Sequence, residues 1–193
     1  MHSARESGVG VAKSLYQILL GDAYFVLPAS IQELHGHTTS VIYSGRGSVE
    51  RGSHWLSRLI GAMMYFPPAS ADTPVSVRFE ILDGSETWIR QFGEHRFQSR
   101  LSARRQFLHE SFGGISIQFK LDVDESGLQM IATRWSVLGL ALPTFLWPTI
   151  IGREIEVEGV FQFLVEAVMP VCGLVVRYRG NLTRSDASFA APH

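Results

Sequence analysis

From residue 74 to residue 178 the chain alternates between apolar and polar positions. Val75, Val77, Phe79 and Ile81 are separated by Ser76, Arg78 and Glu80, and Ile115, Ile117, Phe119, Leu121 and Val123 repeat the same period without a break. A two-residue period puts one set of side chains on each face of an extended strand. Comparable runs cover 87–92, 97–101, 105–112, 128–137, 153–157, 160–168 and 174–178. Turn formers punctuate them at Asp83-Gly84, Gly93, Gly113-Gly114, Glu125-Ser126-Gly127, Gly159 and Pro170.

The first third of the chain has a different period. Leu15, Ile18 and Leu19 form one stripe over 13–20, and Gly21 ends it. Pro28 opens a second short helix to residue 34, stopped by Gly36. After a strand at 39–43, Ser53 is an N-cap for a third helix to about residue 65, expected to bury Trp55, Leu56, Leu59, Ile60 and Met63 before Pro67 and Pro68 end it. Strands joined by hairpin-length loops, with no long helices between them, argue against a parallel nucleotide-binding sheet. The expected fold class is therefore α+β. N-terminal helices pack against or plug a large curved antiparallel β-meander of about eight to ten strands, a partial or closed barrel. The domain division expected is a single domain over 13–183 between a disordered leader (1–12) and a disordered tail (184–193).

Composition narrows the function classes. With 17 basic against 18 acidic residues the chain has a net charge of -1, too little positive field for a general nucleic-acid binder. Its one cysteine, Cys172, excludes a disulfide framework and any multi-cysteine metal site, and reads as an inert core thiol. No stretch reaches the roughly 18 apolar residues of a membrane-spanning helix. The N-terminus lacks the apolar core of an export signal, so the cytoplasm is the expected location. Among the basic residues only Lys13 and Lys120 are lysines, so arginine predominates.

The order of several short motifs resembles a bacterial family catalogued only as a domain of unknown function, number 4166. They are Trp88-x-Arg90-x-Phe92-Gly93, Phe97-x-Ser99 and Glu110-x-Phe112-Gly113, then Gly139 with Leu142-Pro143, Glu154, Gly159-x-Phe161-x-Phe163, and Gly173 with Tyr178-x-Gly180. The resemblance runs from about Ser14 to Leu182, and departs where Asn181 stands in place of an aromatic after Gly180. Members of that family are often fused behind a saccharopine-dehydrogenase-like NAD-binding domain, which implies a separate dehydrogenase as a partner. The resemblance brings no settled activity with it.

Candidate chemistry lies in polar residues on faces that ought to be apolar. Trp88, Arg90 and Phe92 share one face of their strand. A four-residue loop at 93–96 would pair Arg90 with Ser99, and a connection of about six residues would then align Glu110 with Ser99. Arg90, Ser99 and Glu110 become a row across three strands, walled by Trp88, Phe92, Leu101, Leu108 and Phe112, with Trp135 and Tyr178 completing the lining. One reading makes the row a structural ion pair with Ser99 filling a spare hydrogen bond. The other makes it a site in an apolar cavity, where Arg90 orients a carbonyl or carboxylate and Glu110 moves a proton.

Other motifs carry less. The run Gly45-Arg46-Gly47-Ser48-Val49-Glu50-Arg51-Gly52 lacks phosphate-loop spacing, so its glycines read as turn residues at a strand-to-helix corner, with Arg46, Glu50 and Arg51 near a cavity mouth. His35-Gly36-His37 lacks a third ligand and reads as solvent-exposed, so no metal is expected, and no motif calls for a cofactor. Arg96, Arg100, Arg104 and Arg105 read as a solvated sheet edge, and the low-charge stretch 138–151 as a cap on the open end of the sheet. The sequence thus favours a hydrophobic small-molecule binder, with cofactor-independent isomerisation or cyclisation as its chemistry. The alternative is a non-enzymatic interaction module, acting with a dehydrogenase or as a homodimer.

Overall fold

A computed structural model of the protein describes residues 12–82 and 84–185. The leader and tail expected from the sequence lie, at 1–11 and 186–193, outside the described residues. The chain begins with α1 (Leu15–Leu20), a 3-10 turn (Gly21–Val26) and α2 (Ala29–His35). Strand β1 (Val41–Arg51) and helix α3 (Trp55–Met63) follow. Then come β2 (Ser70–Leu82), β3 (Ser85–Phe92), β4 (His95–Arg104), β5 (Phe107–Phe112), β6 (Ile115–Asp124) and β7 (Gly127–Val137). The two-residue β8 (Leu140–Ala141), a 3-10 turn (Thr144–Leu146), β9 (Thr149–Val157), β10 (Val160–Met169) and β11 (Gly173–Arg184) complete the chain.

Every strand pair is antiparallel, and the ladder closes on itself. β1 pairs with both β2 and β11, β6 pairs with β7, and β7 pairs on to β9, so ten strands make a closed barrel with β8 attached to β7. The expected meander with N-terminal helices is present, and closure removes the exposed edges an open sheet would carry. Ten strands make a wider interior than the eight that side chains just fill.

Alternation of hairpins places the remaining elements. α1 and α2 precede β1, at the same end as the β2–β3, β4–β5, β6–β7 and β9–β10 turns. There α1 packs on β4 and α2 on β9 and β10, plugging the barrel. α1 is too short to be stable alone. A reciprocal capping box, in which Gln17 N–H donates to Ser14 Oγ and Ser14 N–H to Gln17 Oε1, closes its first turn. Fully buried Tyr16 pins it to the core. α3 and the 138–148 segment sit at the other end, which is the mouth.

The helix α3 departs from expectation. It turns Ser57 and Gly61 to the barrel and leaves Trp55 and Met63 each 69% exposed and Leu59 half exposed. The reason is close approach: Ser57 Oγ donates to the Cys172 carbonyl at 3.1 Å, and the Arg51 guanidinium lies where a Cβ on Gly61 would stand. The glycines of 45–52 also differ from the reading as a corner. Gly45 and Gly47 lie inside β1, where a Cβ would meet the carbonyls of Asn181 and Arg179 on β11. They permit backbone approach, and neither has a positive φ.

Candidate functional site

Arg90, Ser99 and Glu110 meet inside the barrel, through a different register from the one the sequence suggested. The β3–β4 turn has two residues, Gly93 and Glu94, so Arg90 faces Phe97 and Trp88 faces Ser99. The β4–β5 turn at Arg105 and Gln106 is equally tight, placing Glu110 opposite Leu101. Each correction is a slip of two residues, which preserves the face a side chain occupies. The three groups therefore meet diagonally. Arg90 donates to Ser99 Oγ at 2.7 Å and to Glu110 Oε1 at 3.0 Å, and Ser99 Oγ donates to the same oxygen at 2.5 Å.

The ion pair is largely withdrawn from water, with side-chain exposures of 12% for Arg90 and 16% for Glu110. Arg90 also lies 4.8 Å from the Trp88 ring centroid and 5.7 Å from that of Phe97. Because one carboxylate oxygen accepts from both a permanent cation and a hydroxyl, Glu110 is held as the counter-ion that fixes the guanidinium fork.

These groups open onto an interior cavity of about 400 Å³. Its walls are mainly apolar, from Val77, Phe79, Leu101, Leu108, Ile117, Phe119, Phe161 and Leu182, and it reaches the mouth at Met63–Phe66, Arg96 and Gly113-Gly114. Trp88, Phe92, Phe112 and Tyr178 lie on its surface. Burial, the leading cause, pushes the Tyr178 hydroxyl up to about 12, with Arg90 opposing and Glu110 reinforcing the shift. Trp135 is buried at 2% exposure but stands outside the lining, with its indole N–H unpartnered among the described residues. A bulge turns it inward: Phe119 faces Ala132 while Gln118 faces Arg134, so Thr133 is the extra residue.

Arg51 does not rim the mouth as a free charge. It donates to the carbonyls of Phe66 and Pro67, each at 3.0 Å, and so ties down the segment after α3 that lines the cavity. Arg46 pairs with Asp72, and Arg177 with Glu50 and Glu166, on the outer surface. These bidentate and bridging contacts suit a guanidinium better than an ammonium.

Sequence reasoning missed a second polar cluster on the plugged end. His35, expected in solvent, is 2% exposed, and its Nε2 lies 2.6 Å from Glu154 Oε2. Its ring stacks on Tyr16 at 3.7 Å, and beyond it lies Trp88 at 5.8 Å. Trp88 Nε1 donates to Glu86 at 2.8 Å. Burial raises the Glu86 carboxyl, while the Trp88 N–H, His35 and the Leu15 backbone N–H lower it. The signal that was available is Glu154, an acidic residue inside the run 153–157, which the family motifs include. His37, by contrast, is only half-buried and lies 2.8 Å from the Tyr43 hydroxyl. Among the described residues no group of three or more His, Cys, Asp or Glu side chains is placed to hold a metal ion. None of their helices is long and apolar enough to cross a membrane.

The fold and the interior define a helix-plugged, closed antiparallel β-barrel with an apolar cavity and a buried Arg–Ser–Glu row. A family model described as a domain of unknown function (DUF4166) matches residues 27–182. The chain belongs to that family. A search of the curated proteins finds no match.

Proposed function

We propose that the barrel binds a hydrophobic small molecule in its interior and carries out a cofactor-independent isomerisation or cyclisation on it. The observation that carries this reading is the Arg90–Ser99–Glu110 row set into the wall of an otherwise apolar cavity. Ligand sites typically combine apolar walls with a few convergent polar groups, and 300–1,000 Å³ is the usual range of their volumes. Arg90 would hold a carbonyl or carboxylate oxygen of the ligand, Ser99 would supply a second hydrogen-bonding group, and the aromatic walls would fix its orientation. Catalysis in such a site comes from orientation and from preorganised charge.

The test uses native mass spectrometry of the purified protein and the affinity of an apolar anionic dye, anilinonaphthalene sulfonate. A co-purifying small molecule is expected, and Arg90→Met should weaken dye binding by about tenfold while staying folded, whereas Glu110→Gln, which removes a negative charge beside the guanidinium, should tighten it. If both variants lose thermal stability and yet bind dye as the wild type does, the row is a structural ion pair and the reading fails.

A second reading rests on the mouth. Trp55, Met63, Tyr65, Leu138, Leu140 and Phe145 are exposed there, an apolar surface of the kind that marks contacts. On this reading the protein is a non-enzymatic module that docks on a second copy of itself or on a dehydrogenase. A dimer in solution that Leu140→Asp with Phe145→Asp dissociates, together with no effect of Arg90→Met on dye binding, would favour it.

A further inference from the structure

The cavity has a second polar station, at the plugged end. Glu154 on β9 faces the interior, and its Oε2 accepts from His35 Nε2 at 2.6 Å. Among the described residues, the buried His35 Nδ1 has no hydrogen-bond partner. The pairing fixes the orientation of the Glu154 carboxylate through one of its two oxygens. No hydrogen bond occupies Glu154 Oε1 among the described residues. This contrasts with Glu110, which a permanent cation grips. Tyr16 stacks on the imidazole and donates to Met130 Sδ, so the ring cannot swing away. Glu86, hydrogen-bonded to Trp88, is the other acidic group beside the ring.

We infer that Glu154 is the general base of this cavity, with His35 as its positioning residue and Arg90 as the electrophilic anchor. The substrate class follows: a hydrophobic carbonyl compound with an acidic C–H, whose oxygen is held at Arg90 while Glu154 Oε1 removes the proton. The carbanion's charge then resides on the oxygen facing the guanidinium, and return of the proton to a different carbon gives an isomer with no oxidant or cofactor consumed. The inference rests on the cavity-binding reading above and goes beyond it in naming the base.

Nitrobenzisoxazole is the probe. A carboxylate that removes its ring C–H proton turns that electron pair into the third bond of a nitrile, breaks the N–O bond and releases a coloured cyanonitrophenolate. The wild type should show saturable turnover that competes with dye binding. Glu154→Gln should lower kcat by about a hundredfold with KM little changed, while Glu110→Gln acts mainly on KM. His35→Leu should lower kcat, and His35→Gln, which retains an N–H donor near the Nε2 position, should recover most of it. Glu166→Gln, on the outer surface, should leave the rate unchanged. If Glu154→Gln fails to fold, Glu154→Asp, one methylene shorter, should show the kcat loss instead. Loss of kcat in Glu110→Gln but not in the Glu154 variants would overturn the inference and keep the cavity reading. So would a probe that displaces the dye but never turns over. A probe and dye that both fail to bind would overturn the two together.

Discussion

At the scale of single residues, the barrel's cost lies in the acidic groups it buries. Glu86 is 4% exposed, and burial raises its pKa above the ordinary value of 4.5. The folded chain therefore keeps the Glu86 proton to higher pH than the unfolded chain does. Its contribution to stability is fully present below the unfolded value and is lost as pH rises through the folded one. Glu86→Gln keeps an oxygen to accept the Trp88 N–H and removes the ionisation. We expect the variant's melting temperature to exceed the wild type's at about pH 8 and the two to converge towards about pH 4. A variant less stable than the wild type at the higher pH would show instead that the Glu86 charge is stabilised by its neighbours. His35 belongs to this same cluster, and it shows why part of the site was illegible. A histidine before a glycine looks exposed in sequence, and nothing local reveals that α2 carries it under the barrel to a carboxylate 119 residues away.

At the scale of elements, strand parity was legible and register was not. Alternation alone put Arg90, Ser99 and Glu110 on one face, and they meet there. Register depends on turn chemistry, and Arg105 misleads because it holds φ at 57°, a conformation that favours glycine. The same observation makes a prediction. Replacing Arg105 by glycine relieves about 1–2 kcal/mol of left-handed strain and costs about 0.5–1 kcal/mol of backbone entropy. Arg105→Gly should thus stabilise the protein by about 0.5–1 kcal/mol in urea denaturation, with an unchanged m-value. A loss of stability would mean that the arginine side chain makes contacts that outweigh the strain. The apolar periodicity of α3 misled in the opposite way. Its spacing identified a helix correctly, but Ser57 and Gly61 decided which side packs, because only small residues let the helix lie against β11 and Arg51.

For the whole molecule, closure with ten strands separates wall from contents. The wall is held by a complete antiparallel ladder, so the interior need not be filled to be stable. Helices plug one end, and the side chains that remain inside leave about 400 Å³. That separation is testable without knowing the ligand. Ala167 on β10 is 3% exposed and lies on the cavity surface, so a larger apolar side chain there extends into space rather than into neighbours. In a close-packed core, Ala167→Leu would cost about 1–3 kcal/mol through overpacking. In an open cavity the added carbons gain contacts instead, worth about 0.8 kcal/mol for each buried methylene. We expect Ala167→Leu to raise the melting temperature and to weaken dye binding by at least about tenfold, because the ligand and the new side chain compete for one volume. A destabilised variant that binds dye normally would mean that the interior packs tightly around Ala167 and that the dye sits on the exposed apolar mouth, which would move the functional surface from the inside of the barrel to its rim.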